Sequence, residues 1–168
     1  MKKITFLLSL FTCLLISNQV YSQIADDTID DAGDIAFVAY HDNLDGFSFV
    51  FLDNCPAGTS IRFTDEEWTG AAFASTTSEG EVLWTNTTGA TITAGTVITI
   101  QNADDNGAGI SVNFGTATED ESGFTVASGD QIYAFLGSRS VPATVKFLAF
   151  VGEDNTLNGA ETATLSGT

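Results

Sequence analysis

The chain has 168 residues, with 22 acids against 5 lysines and arginines and a single histidine, a formal charge of −17. Such a surface repels nucleic acid, whose phosphates are held mainly by Lys and Arg, and repels anionic membranes for the same reason. It suits metal cations, cationic partners or solubility at high ionic strength.

The first 22 residues carry the three parts of a secretory signal peptide. Lys2 and Lys3 give a basic start, and an apolar run follows from Ile4 to Ile16. Val20 and Ser22 then stand at −3 and −1 of a cleavage site before Gln23. The run is short for a transmembrane helix, which needs about 20 apolar residues, so export without membrane insertion is expected. Cys13 is a poor lipid-attachment site, because bulky Phe11 precedes it and Leu14 and Leu15 follow. The 146 residues from Gln23 onward keep Arg62, Arg139 and Lys146 against all 22 acids, a formal charge of −19. That length makes one domain, able to bury roughly 70% of its unfolded surface. Cys55 is then alone and reads as a buried thiol, since a nucleophilic Cys wants a His partner.

Residues 23–33 are acidic, with little apolar content, and read as a leader. The domain proper is expected over 34–168. Eight apolar runs follow, at 34–41, 46–53, 59–65, 80–86, 95–102, 109–114, 129–136 and 145–151. They are rich in β-branched and aromatic residues, which suit a pleated, half-buried surface. Ile35, Phe37 and Ala39 alternate onto one face, as do Phe47, Phe49 and Phe51, and Ile110, Val112 and Phe114. Asp45-Gly46 is a hairpin turn signal. No window keeps a helical period. The expectation is all-β, an antiparallel β-sandwich of about eight short strands. The small-residue stretch 69–79 reads as a long loop of the kind that forms binding edges. The tail 152–168 loses periodicity and ends without a closing strand, which reads as a fragment of a longer protein.

Several of these segments together resemble a β-sandwich module of bacterial secreted and surface proteins. They are Gly33-Asp34-Ile35-Ala36-Phe37, then Ala57-Gly58-Thr59-Ser60-Ile61-Arg62-Phe63-Thr64-Asp65 with Trp68, then Gly129-Asp130-Gln131-Ile132-Tyr133-Ala134-Phe135. The arrangement is also loosely similar to lamin-tail-type sandwiches. The resemblance covers about 33–137 and implies a module that stands beside other domains. It carries over no catalytic residues. The leader is similar to those of Bacteroidetes-type bacteria.

Two candidate sites stand out. Asn102, Asp104 and Asn106 put oxygen side chains at alternating positions before Gly107, like the first half of a calcium loop. The match is partial: Asn stands where Asp opens such a loop, and Asn113 where Glu closes it. An ordinary polar turn has the same composition. Trp68 and Phe73, with Tyr40 and Trp84, could stack on a sugar, although rings more often fill a core. Trp84 lies within an apolar strand and reads as core. Glu119-Asp120-Glu121 reads as a solvated loop. Asp65-Glu66-Glu67 places acids after a strand, but adjacent positions do not give the paired carboxylates of a glycosidase. His41 has no second His and reads as a strand-end polar residue. No nucleophile elbow, phosphate loop or zinc-protease motif occurs.

The sequence therefore supports a secreted, non-catalytic binding or spacer module at the bacterial cell surface. Its partner would be a surface ligand or glycan, with calcium as the cofactor to test. The alternatives are an accessory domain of a secreted hydrolase and a carbohydrate-binding module.

Overall fold

The computed structural model describes residues 27–41, 45–75, 79–104, 109–126 and 130–152. Its nine strands are β1 (Ile35–His41), β2 (Gly46–Phe51), β3 (Ser60–Thr64), β4 (Glu81–Thr85), β5 (Val97–Gln101), β6 (Ser111–Val112), β7 (Thr116–Glu121), β8 (Gln131–Ser138) and β9 (Val141–Gly152). They form two antiparallel sheets, β1-β2-β5-β6 and β7-β4-β3-β8-β9. The fold is the all-β sandwich that the strand spacing implies. Among the described residues no helix is long and apolar enough to cross a membrane.

The two inner faces meet through aromatic rings. Phe47, Phe49 and Phe51 alternate along β2, and all three are fully buried. Their rings reach across to the other sheet, Phe47 and Phe49 to Phe63 at 4.8 and 5.1 Å and Phe51 to Trp84 at 5.6 Å. These are the tilted contacts that aromatic quadrupoles favour. Trp84 is fully buried, and its indole nitrogen donates to the Phe114 carbonyl at 2.9 Å.

Four details depart from the sequence reading. First, β1 carries a bulge between Phe37 and Ala39. A bulge shifts the alternation by one residue, so Tyr40 rather than Ala39 packs against the core, and Val38 is exposed. Second, Thr116–Glu121 is a strand, not a solvated loop. It pairs with β4 along the sheet edge, and Leu83 and Trp84 stand opposite Thr118 and Ala117. Edge pairing requires no apolar run, because its outward side chains stay in water. Third, residues 27–33 belong to the domain. Ile29 is buried in the core, Gly33 N donates to the Leu148 carbonyl at 2.9 Å, and the Asp34 carboxylate accepts from Asp30 N and Asp31 N. Fourth, β9 begins at Val141, four residues before the apolar run, and closes a tight hairpin with β8 over Arg139 and Ser140. The tail from residue 153 lies outside the described residues, as do the signal-like segment and Gln23.

Candidate functional site

The polar chemistry gathers on the outer face of the five-stranded sheet. Strand alternation dictates this. Ile61 and Phe63 point inward from β3, so Arg62 and Thr64 point outward; Val82 and Trp84 point inward from β4, so Glu81 points outward. Arg62 bonds Glu81 and Asp120, tying the middle of the sheet to its β7 edge. The β8–β9 turn folds back over this face and delivers Arg139. Its Nε lies 3.0 Å from the Glu81 carboxylate, and its Nη1 donates to Thr64 Oγ1 and to the Glu79 carbonyl, both at 3.1 Å. Arg139 and Glu81 are both about 4% exposed or less. Burial pushes the Glu81 carboxyl up from its ordinary value, and the Arg62 and Arg139 charges pull it back. A depression of about 190 Å³ lies over this clasp, edged by Glu121, Ser138 and Ser140.

Beside the clasp is a second group, built by the ends of three strands. Asp65 follows β3, Glu79 closely precedes β4, and Asp130 immediately precedes β8. Antiparallel pairing of β3 with both β4 and β8 brings those three ends together. Asp65 is 3% exposed. Its Oδ2 accepts from Thr125 N at 2.8 Å, and its backbone carbonyl accepts from Gln131 Nε2 at 2.6 Å. Its Oδ1 is buried with no hydrogen-bond partner, and so is Glu79 Oε2. Burial pushes Asp65 up to about 6, against hydrogen bonding from the backbone N–H groups of Thr125 and of Asp65 itself; the Asp130 charge adds to the rise and the Arg139 charge opposes it. Burial also pushes Glu79 up to about 7, and among its charged neighbours Asp65 contributes most, then Glu66, Asp130 and Glu67.

The aromatic candidates lie elsewhere on the same face. The segment after Glu67 doubles back through a bridge between Trp68 and Phe73 and covers β8 and β9. Phe73 is 5% exposed, and its ring meets Trp68, Tyr133, Phe135 and Phe147 at 5.0 to 6.0 Å. Trp68 is half-buried against Phe147 at 5.0 Å. The two rings are brought together, but as a small outer core: the Phe73 ring has no free face for a sugar. Residues 69–75 of the 69–79 loop likewise belong to the segment that covers the sheet.

The calcium-like loop is divided. Asn106 lies outside the described residues. Asn102 has φ +53° and donates from its side-chain amide toward the Gly109 carbonyl at 3.5 Å, closing the loop on itself. Between Asn102 and Asp104, Ala103 is fully buried and its N–H donates to the Asp45 carbonyl at 2.7 Å. Those contacts are what a turn between β5 and β6 needs. Among the described residues no group of three or more His, Cys, Asp or Glu side chains is arranged to hold a metal.

Cys55 is a buried free thiol, and burial raises it further from the thiolate, although hydrogen bonds with Thr59 and Asn86 oppose this. At the far end of β4, Thr88, Thr91, Ile92, Thr93, Thr96 and Phe114 line a shallow depression of about 260 Å³. Sequence reasoning placed Phe114 on a strand face; it stands past β6 and is 46% exposed. The Asp65–Glu79 pair was also missed. Its signal is topological: an acid just past one strand and another just before its antiparallel neighbour share one end of a sheet.

No family model, no curated protein and no solved structure matches this chain.

Proposed function

We propose that the chain is an exported, non-catalytic module that binds or spaces at the bacterial cell surface. One observation carries this reading. Arg62 and Arg139, two of the three basic residues beyond position 22, are committed to closing the outer face of the sheet on Glu81. The groups that could do chemistry there serve as a structural clasp, and the surface left to partners is acidic. The signal-like Met1–Ser22 segment and the resemblance of 33–137 to secreted modules support export.

The reading is tested in two steps. Mass spectrometry of exported material should find Gln23, or its cyclised form, at the N-terminus; retention of Met1 would sink the export claim. The purified 23–168 segment should sediment with isolated bacterial envelopes in a salt-sensitive way and turn over no chromogenic ester or glycoside. Turnover abolished by Asp65→Asn would sink the non-catalytic claim.

A further inference from the structure

Asp65 Oδ1 and Glu79 Oε2 pose a physical problem. Both are buried oxygens without a hydrogen-bond donor. A buried acceptor left unpaired costs about 1–3 kcal/mol, and more when it is charged. The nearest basic group does not solve it. Arg139 faces Asp65, but its Nε and Nη1 are spent on Glu81, Thr64 and the Glu79 carbonyl, and its buried Nη2 makes no hydrogen bond to either acid. The other charges facing Glu79 are Glu66, Glu67 and Asp130, all acidic. Buried polar groups in native proteins are almost always satisfied by protein, water or an ion. Among these partners, a cation or a proton also offsets the mutual repulsion of the acids gathered around Glu79, which water alone does not.

The strand ends favour a cation. Asp65 is held rigidly: its second oxygen takes the Thr125 N–H, and its own carbonyl is fixed by Gln131. The Glu79 backbone is pinned through its carbonyl by Arg139, and Gly80 after it packs on the backbone of Phe124. One carboxylate stands just past the end of β3 and the other just before the start of β4, each within two residues of its strand. We propose that Asp65 Oδ1 and Glu79 Oε2 form a site for a hard divalent cation, with water completing the coordination. Two carboxylates are fewer than a closed protein cage supplies, so the ion keeps part of its hydration, as oxygen-ligated calcium and magnesium do. This inference does not rest on the surface-module reading, and it moves the expected calcium away from the Asn102–Asn106 loop.

The test uses the 23–168 protein at pH 8, above the raised values of both carboxyls. Calcium and magnesium are titrated separately into the low-millimolar range usual for extracellular modules, at fixed ionic strength, with isothermal calorimetry and melting temperature as readouts. One of the two ions should bind saturably with one ion per chain and raise the melting temperature. Asp65→Asn and Glu79→Gln keep the shape of each side chain. Each should weaken that binding by at least about tenfold, the scale seen even for losing a group that only supports a metal ligand. Asp104→Asn should leave it unchanged. Circular dichroism of the unliganded variants separates lost binding from lost folding. Equal rises in wild type and both site variants would mean that the ion only screens the surface, and would overturn the proposal. So would loss of the effect in Asp104→Asn alone, or no saturable binding of either ion, which would leave the pair to protons.

Discussion

Gly80 shows how one missing side chain fixes the site. An ideal Cβ at this position would lie 1.8 Å from the backbone nitrogen of Phe124. The obstacle is main chain, which cannot rotate away. Gly80→Ala is therefore expected to cost about 3 kcal/mol, the upper part of the usual overpacking range, and to displace Glu79 with it. Urea unfolding measures the first effect. A loss below about 0.5 kcal/mol, the size of an ordinary surface change, would show that the two segments are not in contact. Phe49 makes the opposite case. It is fully buried between Phe51, Phe63 and Trp84. Phe49→Ala leaves a cavity between the sheets and should cost about 3–5 kcal/mol. A loss under about 1 kcal/mol would contradict that packing.

At the scale of elements, the clasp and the edge strand were the parts hardest to see in the sequence. The eight apolar runs were legible because each puts large side chains on the inner face. Thr116–Glu121 has none, so its pairing with β4 left no periodic signal. Its acids do carry a trace: Asp120 meets Arg62 across the sheet, a pairing that only the strand order reveals. Arg139 was illegible for a related reason. A basic residue in a turn usually points to water, yet the β8–β9 hairpin curls this one onto Glu81. Removing one partner of a buried ion pair costs about 3–5 kcal/mol, whereas an apolar replacement of the whole pair can be neutral. Arg139→Met alone should therefore destabilise by about 3 kcal/mol. Part of this should be recovered when Glu81→Gln is added, because the buried carboxylate, left with Arg62 as its remaining cationic partner, is then gone. Strict additivity in that double-mutant cycle would show that the two side chains do not interact.

For the whole molecule, alternation within strands fixed what faces inward, and this was enough to read a sandwich from the sequence. What alternation cannot supply is which strand ends meet, and the acid pair depends on that. Asp65 and Glu79 are 14 positions apart and join only because β3 and β4 run antiparallel. Their protonation links the site to the stability of the entire fold. Ordinary values are 3.8 for Asp and 4.5 for Glu, and the folded chain raises these two to about 6 and about 7. The folded state therefore holds protons that the unfolded chain has already released. Stability from this source is complete below about pH 4 and is lost as the pH rises through 6 and 7. In a chain of formal charge −19 beyond residue 22, general repulsion among ionised acids acts in the same direction. Two variants of the pair and one exposed control separate the causes. With a chelator present, so that no divalent ion competes with protons, the wild-type urea midpoint should fall between pH 5 and pH 8. Asp65→Asn and Glu79→Gln each remove one titrating group and should flatten that fall, whereas removing an exposed acid such as Asp120 by Asp120→Asn should not flatten it comparably. A wild-type midpoint that is level or rising over this interval, or equal slopes in all four proteins, would mean that the buried pair is not where the folded chain keeps its protons.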